Sequence, residues 1–200
     1  MANSYLDRIY AAQTEEERRR IYADWAESYD IELDGAGYAT PSRVAEALAG
    51  FADKDAPLLD FGCGTGLSGL ALHASGFTTV DGADISQEML AKAREKGIYR
   101  DLTALTPEAG PPTGYSAISA TGVVSTGAAP PETLGALLQA LPKGGHLGLS
   151  YNDHTLADPS YTGALNDWID CGAARLLFRE HGDHLPAIDL KSMVYVLEKA

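Results

Sequence analysis

Apolar positions in the first fifty residues recur at helical spacing; from residue 56 onward they form short runs that alternate with amphipathic stretches. Thr14 with Glu17 three residues later has the form of a capping box. The helix it starts carries Ile21, Tyr22, Trp25 and Ala26 on to Tyr29 and Asp30, and Gly35 and Gly37 break it. Thr40 as N-cap and Pro41 in the first turn open a second helix, which Gly50 closes. The spacing then predicts strands over residues 56–61, 77–85, 98–105, 115–124, 146–151, 174–180 and 193–197. Helices are expected over 67–75, 86–96 with Ser86 as N-cap, 130–141 and 161–172, and a Pro/Gly-rich connection over 107–114.

Strand–helix alternation of this kind predicts a mainly parallel sheet of seven strands with helices on both faces. The last two strands have no helix between them and are expected to pair antiparallel at one edge. Residues 1–200 read as one domain, with a helical segment over 1–50 covering an α/β core over 56–200.

The chemistry-bearing segment is Leu58-Leu59-Asp60-Phe61-Gly62-Cys63-Gly64-Thr65-Gly66-Leu67. A buried strand ends in an acid, and three glycines at alternate positions make a turn with a bare inner wall before an apolar helix begins. Such a turn admits a ligand close to the backbone, and the helix offers it free N–H groups. Residues 64–69 also spell G-x-G-x-x-G, with Asp84 lying 20 residues after Gly64, so spacing alone allows a nicotinamide or flavin dinucleotide. Asp60 argues otherwise. A carboxylate at the throat of the loop repels a pyrophosphate and tolerates a ligand carrying an ammonium or sulfonium group.

Asp60-x-Gly62-x-Gly64-x-Gly66 resembles the first motif of the class I S-adenosylmethionine-dependent methyltransferases, which implies a Rossmann-like fold and that cofactor, with S-adenosylhomocysteine as product. On this resemblance Asp60 orients the loop and the methionine moiety, Gly62, Cys63, Gly64 and Gly66 form the cradle, and Asp84 accepts both ribose hydroxyls. Asp81 is the rival for that last role. Ile85 and Met89 would pack on the adenine, with Thr106 after the third strand and Thr121 after the fourth completing the site. Two departures stand out: Thr106 occupies the place where many relatives carry an acid, and Tyr115-Ser116 stands where they show an aromatic residue and Asp. Tyr22-x-x-Trp25-Ala26-x-x-Tyr29-Asp30 resembles the segment with which small-molecule methyltransferases cover their cofactor, so Trp25, Tyr29 and Tyr38 are expected to close over it. That stretch, through Gly97-Ile98-Tyr99, is also similar to the methyltransferase-like proteins named for the Williams–Beuren chromosomal region.

Composition narrows the partners. The formal net charge is −13, and the one basic run, Arg18-Arg19-Arg20, follows Glu15-Glu16-Glu17. Pairing at i,i+3 and i,i+4 makes that stretch a solvated helix face and leaves no basic surface for a nucleic acid. No apolar run is long enough to span a membrane, no export leader is evident, and Cys63 and Cys171 read as free thiols, which points to the cytoplasm.

Methyl transfer is an in-line displacement in which positioning supplies much of the rate, so a general base is optional. The polar cluster Tyr151-Asn152-Asp153-His154 after the fifth strand supplies the catalytic candidates, His154 as base and Tyr151 beside it. Three lookalikes are set aside. Asp158-Pro159-Ser160-Tyr161 starts a helix, Asn152-Asp153 lacks the partner acid of a magnesium site, and His181-Gly182-Asp183-His184 falls in the loop between the edge strands. No metal is expected. The expected activity is methylation of a small molecule; a protein acceptor and a cofactor-binding protein without transferase activity are the alternatives.

Overall fold

The computed structural model describes residues 5–106 and 109–200. Four helices come first, α1 (Tyr5–Ala11), α2 (Glu15–Trp25), α3 (Tyr29–Gly35) and α4 (Thr40–Ala49). The alternating core follows as β1 (Leu58–Phe61), α5 (Leu67–Ala74), β2 (Val80–Asp84), α6 (Gln87–Lys96), β3 (Leu102–Ala104) and β4 (Ala117–Ala120). It ends with α7 (Glu132–Ala140), β5 (His146–Asn152), α8 (Asp153–Leu156), α9 (Pro159–Asp170), β6 (Ala174–Leu185) and β7 (Leu190–Lys199).

The strands form one seven-stranded sheet of order β3-β2-β1-β4-β5-β7-β6. Its first five strands are parallel, and β7 pairs antiparallel with both β5 and β6. This is the expected architecture, and strand periodicity explains its two cores. Leu58 points to one face, where Ala45 and Leu48 of α4 and Ala71 and Leu72 of α5 cover the sheet. Leu59, one residue on, points to the other, packed with Leu134, Leu137 and Leu138 of α7 and Tyr161 and Leu165 of α9. A third cluster of Ile9, Ile21, Trp25, Leu33 and Leu185 fastens α1–α3 over the carboxyl ends of the strands.

The local signals place most helix starts. Glu17 N–H donates to Thr14 Oγ1 at 3.1 Å, so Thr14 caps α2, while the Glu17 carboxylate accepts from Gln13 N–H at 2.9 Å, one residue before the cap and not from the cap itself. Ser86 caps α6 through Met89 N–H at 3.2 Å.

Several expectations are corrected. The single helix expected from Thr14 to residue 34 is two, because a turn at 26–28 ends α2 and redirects α3 onto the glycine loop. Thr40 is the first residue of α4 and not its cap; its hydroxyl is engaged with His184 Nδ1 at 2.7 Å and Ser192 Oγ at 3.0 Å. The segment 181–184 lies inside β6, which is far longer than 174–180. An edge strand is paired on one side only, so it tolerates the charged and polar residues that made this stretch read as a loop. His181 faces Asp153 Oδ1 at 3.1 Å, while His184 is buried, and its pKa falls to about 4 chiefly through desolvation. The last long helix begins at Pro159, with Asp158 as N-cap. The fourth strand shrinks to 117–120. Of the 107–114 connection, residues 107–108 lie outside the described residues.

Candidate functional site

The parallel strands end their carboxyl edges under α1–α3, and there lies a cavity of about 560 Å³. The strand ends supply its floor. Gly62 and Cys63 N–H both donate to Ala83 O, at 2.7 and 3.1 Å, which ties the glycine loop to the end of β2. Gly64 N–H then donates to Asp84 Oδ2 at 2.8 Å, and Ser86 N–H to Asp84 Oδ1 at 2.8 Å. Loop and carboxylate therefore position one another. Asp84 lines the cavity, and a carboxylate oxygen can accept more than one hydrogen bond, as capture of a ribose diol requires. Burial pushes the Asp84 carboxyl pKa up, against the lowering effect of these backbone bonds.

The glycines have distinct reasons. At Gly64 the backbone is left-handed (φ 52°), and a Cβ would enter open space, so the bare wall there faces the cavity. At Gly62 (φ 70°) a Cβ would stand 2.3 Å from Val123 Cγ2, so that glycine admits the β4 connection as well as bordering the cavity.

Ile85, Met89, Thr106, Thr121, Tyr29 and Tyr38 all line the cavity with Gly62, Gly64 and Asp84, as the sequence predicts. Asp81, the rival, is paired with Arg100 and accepts from Tyr115 hydroxyl at 2.8 Å. Those bonds also give Tyr115 its job, with its own pKa raised to about 12 by burial and the adjoining carboxylate.

Other expected site residues stand behind the wall. Asp60 is buried below the loop, its Oδ2 accepting from Ser68 Oγ at 2.6 Å and Tyr99 Oη at 2.7 Å. It supports the loop from behind and does not touch the cavity. Cys63 is buried filler against Gly82, and burial drives its thiol pKa far up. Gly66 is the left-handed N-cap of α5 and abuts Lys96 and Tyr99. Trp25 sits in the apolar cluster with Tyr22 stacked at 6.2 Å and Tyr29 edge-on at 4.6 Å, so it props the tyrosines that line the cavity.

Both catalytic candidates are displaced. Tyr151 is fully buried in the sheet core, its ring 5.9 Å from Tyr161 and 5.5 Å from Tyr195. Strand alternation sends its side chain into the α7–α9 layer, not to the strand end. His154 is exposed on the short helix α8 and packs on the Tyr10 ring at 4.3 Å; it is not in the cavity wall. Asn152 caps that helix, accepting from Thr155 N–H at 3.0 Å, and donates to Tyr10 hydroxyl at 2.9 Å.

The cavity also recruits residues outside the expected set. Arg18 and Arg19 line it from α2, while Arg20 turns outward to Glu16 at 2.6 Å. The run is therefore not one uniformly solvated face. The periodicity of Arg18, Tyr22, Trp25 and Tyr29 was the available signal. Pro111, Val123 and the segment 128–133 complete the wall.

The strap is latched to the loop it covers. Asp30, beside Tyr29, accepts from Thr65 Oγ1 at 2.5 Å and from Lys96 Nζ at 2.6 Å, and the same ammonium reaches Thr65 O at 2.6 Å.

Burial, and after it the charge of Asp84, raise the proton affinity of Asp60 beside the loop, and Asp60 Oδ1 is buried without a hydrogen-bond partner among the described residues. Lys96, which reaches the loop, is engaged with Asp30. That field suits a cationic amino-acid tail and sulfonium and opposes a diphosphate. The residues fit.

Strand order, an acid at the end of β2 and a carboxylate-backed glycine loop together define the class I S-adenosylmethionine-dependent methyltransferases. The chain belongs to the methyltransferase-domain family, whose sequence profile matches residues 36–200. Human methyltransferase-like protein 27 is 31% identical over 136 residues, which is 64% of this chain and 55% of that protein. The chain thus spans only about 55% of the length of that curated relative. Magnesium protoporphyrin IX methyltransferase from Synechocystis, solved with bound S-adenosylhomocysteine, has the same fold, with a TM-score of 0.67 at 14% identity over 92% of this chain and 100% of that one. A TehB-like S-adenosylmethionine-dependent methyltransferase from Corynebacterium glutamicum gives 0.61 at 18% identity, covering 88% and 98% of the two chains. The cyclase SpnF gives 0.64 at 17% identity over 94% and 97%. At such identities the likeness is one of fold.

Proposed function

We propose that the protein transfers the methyl group of S-adenosylmethionine to a small-molecule acceptor. The observation that carries this reading is the continuity of one cavity. Gly64, Asp84 and Met89 share it with Thr121, Ala129, Pro130 and Thr133, under a roof of Tyr22, Tyr29 and Tyr38. Cofactor and acceptor would thus meet inside a space bounded by this chain's own N-terminal helices, which suits a metabolite better than a folded protein.

The bound cofactor supplies an activated methyl group on sulfur. The chain supplies the rest. Asp84 accepts the diol and, with the bare wall at Gly64, fixes the orientation from which an in-line approach follows. The phenols of Tyr22, Tyr29 and Tyr38 are all pushed up in pKa, first by burial, and so act as neutral hydrogen-bond donors and not as bases. Apolar wall residues such as Val123 and Pro130 exclude water. Among the described residues the wall holds no histidine, which favours an acceptor atom that attacks without a side-chain base.

The test is formation of S-adenosylhomocysteine from S-adenosylmethionine with a cell extract passed through an ultrafilter. Turnover with the filtrate is expected. Turnover only with the retained macromolecules would assign a protein acceptor, and tight S-adenosylhomocysteine binding without turnover in either fraction would assign a binding protein.

A further inference from the structure

The far end of the cavity is basic, in a chain whose formal net charge is −13. Arg18 and Arg19 are half-buried on the inward face of α2, and both border the cavity. Arg18 Nη1 makes one long bond, to Ala12 O at 3.4 Å, and Arg18 Nε is buried with no hydrogen-bond partner among the described residues. A buried donor of this kind is costly to leave unmet, and a planar guanidinium is matched by a carboxylate or a phosphate.

The arginines lie away from the cofactor's strands. Arg18 is bonded to Ala12 O at the end of α1, whose Ile9 and Tyr10 abut Gly127, two residues before Ala129. Ala129 belongs to the connection between β4 and α7. Asp84 ends β2, and β1 separates β2 from β4 in the sheet. Two strand spacings put those ends roughly 10 Å apart. At its other end α2 leads into Glu27, whose carboxylate meets Lys92 of α6 at 2.9 Å, beside the cofactor's strands. The helix therefore crosses the site from β2 toward β4, and its arginines overlook the acceptor half. Of the described carboxylates in the wall, Glu132 is on the exposed rim and Asp84 is held by backbone N–H groups, and neither pairs with Arg18.

We propose that the methyl acceptor is an organic anion with an apolar body, whose carboxylate or phosphate is received by Arg18 and Arg19 at the β4 end of the cavity. Leu105, Pro111, Val123, Pro130 and Ala136 supply an apolar wall for the body. The inference rests on the methyl-transfer reading above.

The test uses the full chain with S-adenosylmethionine and a small-molecule extract split on an anion-exchange resin, with S-adenosylhomocysteine as readout. Turnover is expected with the retained, anionic fraction and not with the flow-through. Phosphatase treatment of that fraction abolishes turnover if the anion is a phosphate and spares it if a carboxylate. The double variant Arg18→Gln/Arg19→Gln should lower turnover per unit acceptor by about tenfold to a hundredfold. Its calorimetric affinity for S-adenosylhomocysteine should be unchanged, which also shows that it folds. Turnover with the flow-through, or undiminished turnover by the double variant, overturns the inference and leaves methyl transfer standing. Loss of S-adenosylhomocysteine binding in a folded variant overturns it too, by assigning the arginines to the cofactor's own carboxylate. Binding by the unsubstituted protein without turnover in any fraction refutes the methyl-transfer reading itself.

Discussion

Asp60→Asn should stabilise the protein, and only where Asp60 would be ionised. The carboxyl is wholly buried, and its pKa is pushed up to about 6 from 3.8, first by desolvation, with the hydrogen bonds from Ser68 and Tyr99 opposing. A raised folded-state pKa means that the native protein holds this proton more tightly than the unfolded chain. The associated stability is fully present below the unfolded pKa near 3.8 and is lost as pH rises through about 6. Above both values the cost of the buried charge is two pKa units' worth, about 3 kcal/mol. Asparagine copies the shape of the protonated acid. Its carbonyl still accepts from Ser68 and Tyr99, and its amide takes the place of Oδ1, with the Ser119 hydroxyl of β4 as the available acceptor. At about pH 8 the variant should melt higher by about 2–4 °C for each kcal/mol recovered, and at about pH 4 the two proteins should coincide. Scanning calorimetry across that range is the assay. The same substitution removes negative charge from behind the loop, so affinity for the cationic S-adenosylmethionine should fall relative to the neutral S-adenosylhomocysteine. A stability difference that does not change with pH, or an asparagine variant less stable at about pH 8, would refute the argument.

Asp84→Asn loses the charged diol acceptor while one amide oxygen still serves a loop N–H, so S-adenosylhomocysteine affinity should fall by about 1–3 kcal/mol in calorimetry; unchanged affinity rules out the ribose role. Asp30→Asn breaks the ion pair with Lys96 and weakens the bond from Thr65, so α3 should exchange its amide hydrogens faster and the cofactor should dissociate sooner, read by hydrogen exchange and stopped flow. If exchange in α3 is unaltered, the latch is not what holds the strap. Tyr151→Phe removes a hydroxyl buried without a partner among the described residues, so it should leave turnover intact and cost the fold nothing. A loss of turnover without a loss of stability would restore Tyr151 to the chemistry.

The sheet was legible because each of its signals is local. The apolar pair Leu58-Leu59, the β-branched run Thr78-Thr79-Val80, caps at Thr14 and Ser86, and glycines closing α4 and α6 act within a few residues, and parallel strands alternating with helices leave few topologies. What failed depended on partners distant in sequence. Thr40 has the residue type of a cap, but a histidine 144 positions away takes its hydroxyl. The polar stretch 179–184 is strand because β7 pairs with it, through contacts that residues 179–184 do not encode by themselves. The bend at 26–28 exists to bring Asp30 onto Thr65 and Lys96, and no periodicity contains it.

The site divides in the same way. Gly64 and Asp84 were readable because a bare turn and an acid at a strand end can each be deduced from the residue alone. Asp60 was read for its charge and placed in contact with the ligand, but strand alternation turns its carboxylate under the loop toward Ser68 and Tyr99. Tyr151 and His154 were chosen for chemical capability at a strand end, and capability says nothing about facing: one side chain follows the pleat into the core, the other follows α8 to solvent. The arginine run shows the converse. Counting charges pairs all six residues of Glu15–Arg20 on a wet surface, and that count is correct for Arg20 and Glu16. It fails for Arg18 and Arg19 because the helix that carries them is a lid, so its inward face is defined by the cavity beneath it and not by hydrophobicity. On a lid helix a charged residue one turn before an inward tyrosine should be read as cavity lining before it is read as solvated surface.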